Sequence, residues 1–213
     1  MPFTREEHVE YTKKEYNELI YYKNMFDILI EKKVKSYIDI GANIGEVCNI
    51  YFEKIPSLKT AYLFEPDIDN YKFLLNNIKF SKNIIAYNKA IYYGKNSPKL
   101  FQNFNPGGFI VSDSNPNKSF FDSNQKIEYT TLEDLNLSNI DLIKIDIEGG
   151  EFELIENSKY IHTVPYIEIE FHYDNNSLDI KKYLKDNIPN HVIVLIEDIE
   201  GRVLLERKDL NDL

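Results

Sequence analysis

From Val34 onward the chain repeats one unit: a short β-rich run, a turn, then a helix-like segment. Strands separated by helical stretches pair in parallel and their crossovers cover both faces of the sheet, so the alternation predicts an α/β fold. Strand 35–40 (KSYIDI) runs through a glycine turn into a helix at 45–54, stopped by Pro56. Strand 60–65 (TAYLFE) is followed by Pro66, whose fixed φ suits the first turn of a helix reaching Lys79. A third strand is expected at 83–88 (NIIAYN). The rhythm breaks over 94–125, where Gly94, Pro98, Pro106, Gly107, Gly108 and Pro116 stand among Ser and Asn. An irregular insertion of that length is more often functional or mobile than filler. Regularity returns with strand 126–130, a short helix near 132–135, strand 140–146 and helix 151–158. Strands 164–172 and 191–197 flank a helix at 177–187, and a last strand lies near 202–206. That makes six or seven strands, with Glu200-Gly201-Arg202 a hairpin turn that leaves the final pair antiparallel.

Upstream, Leu19, Tyr22, Met25, Phe26, Leu29 and Ile30 recur at helical intervals among Lys and Glu, which predicts an amphipathic helical extension over 1–33 packed on a main domain at 34–213. At about 150 residues per domain, 213 residues give one domain with additions. Lys plus Arg number 25 against 35 Asp plus Glu, and the resulting charge of −10 repels phosphate backbones, so no nucleic-acid partner is expected. Cys48 is the single cysteine, which excludes an internal disulfide and fits a reducing compartment. No stretch approaches the roughly 20 apolar residues of a membrane helix, and the start, MPFTREEHVEY, is too charged for a signal peptide. A cytoplasmic protein with no membrane partner is the expectation.

In an open α/β sheet, ligands bind beyond the carboxyl ends of the strands, where strand order reverses. Four of these ends carry acids: Asp39, Glu65, Asp146 with Glu148, and Glu170. The run Asp39-Ile40-Gly41-Ala42-Asn43-Ile44-Gly45 places glycines at a strand-to-helix turn, where backbone can approach a ligand closely. It lacks both the G-x-G-x-x-G spacing that seats a pyrophosphate and the G-K-[ST] of a phosphate-cradling loop. Glu65 stands 24 positions after Gly41, where a carboxylate can accept both ribose hydroxyls. S-adenosylmethionine matches: a ribose, no phosphate, and a sulfonium that tolerates acids. NAD is the competitor, and a bare strand–helix junction is the bland alternative.

The second cluster, Lys144-Ile145-Asp146-Ile147-Glu148-Gly149-Gly150-Glu151, ends a strand in a carboxylate and turns into a helix. Glu151 reads as complementing the positive helix start, whereas Asp146 and Glu148 read as functional. On strand 164–172 a two-residue period puts Glu168, Glu170 and His172 on one face. Glu168 fits a solvent-facing position as well as a functional one; Glu170 and His172 lie nearer the site. Asp146, Glu148, Glu170 and His172 are therefore the candidate catalytic groups. No spacing motif makes them a metal site, although oxygen ligands with one imidazole would suit magnesium or manganese. His8, His162 and His191 read as surface or core residues. Phe104, Phe109, Phe120 and Phe121 form either an apolar pocket or lid, or anchors for the long insertion.

Taken in order, DIGANIG, FEP with Glu65, KIDIEGGE and IEIEFH resemble the FkbM-type S-adenosylmethionine-dependent methyltransferases over residues 34–172. The resemblance implies a Rossmann-like class I methyltransferase fold with a seven-stranded sheet. It implies that Asp39, Gly41, Ala42, Asn43 and Gly45 line the methionine part of the cofactor, that Glu65 holds the ribose, and that Asn88 and Ala90 approach the adenine. It further implies methyl transfer to an oxygen, commonly a hydroxyl of a sugar or another small molecule. The chain departs from the family pattern at Gly150, where alanine is frequent, and at Gly107-Gly108-Phe109, which lacks serines. Rival readings are an N-methyltransferase of protein or nucleic acid, a non-catalytic binding module, and a nicotinamide-dependent reductase.

Overall fold

The computed structural model describes residues 5–79, 83–102, 109–114, 120–172, 179–197 and 201–210. Helices α1 (Arg5–Glu18) and α2 (Ile20–Glu31) lead into β1 (Ser36–Ile40), α3 (Glu46–Lys54), β2 (Thr60–Phe64), α4 (Ile68–Asn77) and β3 (Asn83–Tyr87). Short strands follow: β4 (Lys89–Ile91), β5 (Lys99–Gln102), β6 (Phe109–Ser112), β7 (Phe121–Asp122) and β8 (Glu128–Thr130). The chain continues through β9 (Leu142–Ile145), α5 (Glu151–Asn157), β10 (Tyr166–Glu170), α6 (Ile180–Asn187), β11 (His191–Glu197) and β12 (Arg202–Arg207).

Seven strands form the central sheet in the order β11-β12-β10-β9-β1-β2-β3. β12 is antiparallel to both neighbours, and the remaining pairs are parallel. The direction of winding reverses at β1 and β9, which opens a crevice at their carboxyl ends. The two-residue strand period feeds two cores. Tyr37 of β1 packs with Met25, Leu29, Tyr51 and Leu74 from α2, α3 and α4. Ile38 and Ile40 pack on the other face with Leu154 of α5 and Leu184 of α6. Among the described residues, no helix is long and apolar enough to cross a membrane.

The structure corrects several boundaries. The N-terminal helical stretch is two helices, parted at Leu19, whose φ of −70° and ψ of 129° are extended. Pro66 stands outside α4. The helix begins after Asp67, whose carboxylate accepts from the Asp69 and Asn70 N–H groups at 3.0 and 2.7 Å. The strand expected at 126–130 is β8, which pairs with β4 rather than joining the central sheet. The helix near 132–135 is a single tight turn at Glu133–Leu135. Within 94–125, β5 pairs antiparallel with β6 and β7. Phe104, Pro106, Gly107, Gly108, Pro116 and Glu200 lie outside the described residues.

Candidate active site

Strand register carries a row of charge across the sheet: Asp39 on β1 pairs with Lys144 on β9, which pairs with Glu168 on β10. All three are buried. Lys144 Nζ lies 3.7 Å from Asp39 and 3.0 Å from Asp146, and the Tyr51 hydroxyl donates to Glu168. Burial raises Asp39 above its usual range and pushes Glu168 up to about 7. Burial also works against the Lys144 ammonium, but Asp146, Asp39 and Glu168 outweigh it and raise its pKa. Glu168 thus faces a helix layer, not solvent, because α3 covers this side of the sheet through Tyr51. Asp39 lies beneath the site, one turn of the pleat short of the cavity that it was expected to line.

Two residues further along the same face, Gly41, Asp146 and Glu170 open on a cavity of about 480 Å³. Gly41 has φ +90°, and a Cβ there would stand 1.8 Å from the Asp146 carbonyl oxygen, so this junction admits glycine alone. Gly41 and Ala42 donate backbone N–H bonds to the Phe64 carbonyl at 3.1 and 3.0 Å, which ties the turn to the end of β2. There Glu65 accepts from the Asn43 N–H through Oε2 and from the Asp67 N–H through Oε1, both at 2.8 Å. Burial nevertheless pushes its carboxyl up to about 8. Gly41, Ala42, Asn43, Glu65 and Ala90 line the cavity. Gly45 and Asn88 do not. A Cβ on Gly45 would meet Leu74 at 3.2 Å, so its smallness serves the packing of α3 on α4. The Asn88 amide donates to the Glu65 and Pro66 carbonyls at 2.9 and 3.0 Å and fixes the strand end that presents Glu65.

The four candidate catalytic groups all line the cavity. His172 Nδ1 lies 3.0 Å from Glu151, and its Nε2 lies 3.9 Å from Asp146 and 3.8 Å from Glu148. Burial alone would lower this imidazole, but the Glu151 hydrogen bond and the charges of Asp146 and Glu148 raise it to about 10. Asp146 resists its own burial because Lys144 and His172 hold its carboxyl below the usual range. Glu148, at a left-handed φ of 57°, is pushed up to about 6, mainly by burial. Burial and the Asp146 charge push Glu170 up to about 7 against the pull of Arg202, 3.3 Å away. Glu151 does more than complement a helix start. Fully buried, it accepts from the Ile147 N–H at 3.2 Å and the Gly149 N–H at 3.0 Å, and so clamps both the loop and His172. One donor atom each from Asp146, Glu148 and His172 come within 4.8 Å of one another, a set that could hold a divalent cation without Glu170.

Sequence reasoning missed a whole wall. His8, Tyr11, Thr12, Glu15 and Tyr16 of α1 line the cavity, as does Arg202 of β12. Their spacing of i, i+3, i+4, i+7 and i+8 is one helix face, and its mixture of polar and aromatic residues was the available signal. His8 is therefore a cavity residue, with Nε2 3.4 Å from Asn43 Nδ2. Arg202 pairs with Glu15, with Glu170 and, at 3.5 Å, with Glu197. His191 is a core residue, buried and bonded to the Val164 carbonyl at 2.8 Å. Phe109 reaches the cavity, whereas Phe121 is exposed.

A mostly parallel sheet in this order, an antiparallel strand inserted near one edge and a cavity at the point of reversal define the α/β fold of class I methyltransferases. The family model described as the methyltransferase FkbM domain matches residues 39–198, and the chain belongs to this family. The fold is similar to the solved structure of methyltransferase FkbM from Methylobacillus flagellatus KT, at 18% identity and a TM-score of 0.53, covering 81% of this chain and 44% of that one. The chain thus spans less than half the length of that relative. It is also similar to M. capricolum TrmK in complex with S-adenosylhomocysteine, at 16% identity and a TM-score of 0.49, covering 89% of this chain and 69% of that one. No curated protein matches the chain.

Proposed function

We propose that this chain is a cytoplasmic S-adenosylmethionine-dependent methyltransferase acting on a hydroxyl of a small molecule or glycan. The observation that carries the reading is the placement of Glu65 in one cavity with the Gly41-Ala42-Asn43 turn and a set of carboxylates. The lining fits this cofactor. It offers acids to a sulfonium and to ribose hydroxyls, and its Lys and Arg side chains are Lys89 and Arg202, the latter already engaged by three glutamates. The glycine turn lacks the G-x-G-x-x-G spacing that seats a pyrophosphate on backbone N–H groups at a helix start, which weighs against NAD. In this reading Gly41, Ala42 and Asn43 hold the methionine part, Glu65 the ribose and Ala90 the adenine. S-adenosylmethionine would supply a methyl group activated by its sulfonium.

The chain's own residues then align an acceptor oxygen and dispose of its proton. Glu148 and Glu170, pushed up to about 6 and about 7, lie just below and at neutrality and suit proton acceptance. His172, raised to about 10, stays protonated there; its part is that of a cation orienting Asp146 and Glu148 rather than a base. The acidic lining and the net charge of −10 disfavour a nucleic-acid acceptor. The test is transfer of labelled methyl from S-adenosylmethionine to a panel of hydroxylated sugars and phenols, with RNA and protein amines alongside. Label on hydroxyl oxygen, slowed about 100-fold or more by Glu148→Gln or Glu170→Gln, is expected. Label confined to RNA or amines would overturn the oxygen assignment.

A further inference from the structure

We propose that α1 is a strap over the cofactor site, hinged at Leu19, whose His8 and Lys13 fasten onto the glycine turn and the start of α3 and retain the methionine end of the donor. The inference rests on the donor reading above and adds residues to it from outside the family match, which begins at residue 39.

Among the described residues, three polar contacts tie α1 to elements that build the site, beside the packing of Tyr16 on Tyr22, Phe26 and Tyr51. His8 Nε2 meets the Asn43 amide at 3.4 Å on the glycine turn. Lys13 Nζ lies 3.5 Å from Glu46, a buried cavity residue in the first turn of α3. Glu15 pairs with Arg202, which also holds Glu170. Burial keeps the His8 imidazole below its usual range, which favours the neutral ring, the form that can accept from the Asn43 amide.

The attachment is unlike that of the helix after it. α2 buries Tyr21, Tyr22, Met25, Phe26 and Leu29, whereas Tyr16 is the large apolar side chain that α1 buries, stacked 3.8 Å from Tyr22. Lys13 is nearly half exposed, and exposed ion pairs contribute little. Leu19 is extended and has no side-chain cap; its N–H closes the last turn of α1 on the Glu15 carbonyl at 3.0 Å and its carbonyl accepts from the Lys23 N–H at 3.2 Å, so a single extended residue is the joint between the two helices. A 14-residue helix released from its partners is marginal in water and unravels. Opening α1 therefore uncovers the cavity while α2 stays in the core.

The experiment uses the full chain and S-adenosylhomocysteine. Bound S-adenosylhomocysteine is expected to slow tryptic cleavage after Lys13 and Lys14 about 10-fold in the wild type, a readout that needs no variant. His8→Ala combined with Lys13→Ala is expected to speed release of S-adenosylhomocysteine roughly 3- to 10-fold, the loss of one or two ordinary polar contacts. Normal binding with unchanged release and no protection would overturn the strap and leave the donor reading standing. Failure of the wild type to bind S-adenosylhomocysteine would overturn both.

Discussion

Glu65 shows how burial sets the terms on which a side chain meets its ligand. Burial pushes its carboxyl up to about 8, yet acceptance of two ribose hydroxyls favours the ionised form. Binding should therefore release protons, and affinity for S-adenosylhomocysteine should rise between pH 6 and pH 8 by up to about 10-fold per unit, as calorimetry in buffers of different ionisation enthalpy would register. A flat affinity would mean that Glu65 does not face the ligand. Gly41 is under a different constraint. In Gly41→Ala the new Cβ would collide with the Asp146 carbonyl at a positive φ, and a loss of about 2–5 kcal/mol in urea unfolding is expected. That Gly41, Ala42, Asn43 and Glu65 come together at one cavity could be anticipated from the sequence, because a motif names the turn. Which way a side chain points could not be anticipated. Asp39 belongs to the same seven-residue run, but it precedes the strand end by one alternation and faces the buried row instead. Gly45 was needed by Leu74, a partner 29 positions away that no local pattern reveals.

At the scale of elements, the row Asp39–Lys144–Glu168 binds three adjacent strands and depends on Tyr51 of α3 to complete it. Tyr51→Phe leaves the buried Glu168 without its hydroxyl donor and should cost about 1–3 kcal/mol. Unaltered stability would show that Lys144 alone satisfies that carboxylate. Most strands and helices could be read from β-rich runs and their stops, and the antiparallel final pair from Gly201. The order of strands could not, since it is fixed by crossovers and not by local spacing. Nor could the destination of α1: its mixed polar and aromatic face marks it as more than a packing surface, but where it lands is set only when the sheet brings Asn43, Glu46 and Arg202 beneath it. The 94–125 stretch likewise carried turn formers that hid three short strands.

For the whole molecule, buried acids and a trapped imidazolium set the pH dependence of stability. Glu65, Glu168 and Glu170 are raised in the folded state to about 8, about 7 and about 7 from the usual 4.5. The folded form therefore binds more protons than the unfolded chain, and this stability falls as pH rises through that window. His172, raised to about 10 from 6.5, contributes fully below its unfolded value and loses that contribution as pH climbs towards 10. The melting temperature should thus decline from pH 6 to pH 9, and Glu65→Gln should flatten the part below pH 8. An equally steep decline in that variant would remove Glu65 from the explanation. The same residue decides the larger question. Titration calorimetry of the full chain and its Glu65→Ala variant with S-adenosylhomocysteine and with NAD, near pH 7, tests most directly what the cavity was built to hold. S-adenosylhomocysteine should bind the wild type and lose about 10- to 100-fold in the variant, the range for one or two charge-assisted hydrogen bonds, while NAD gives no heat. Binding of NAD without S-adenosylhomocysteine, or equal affinity in both proteins, would contradict it.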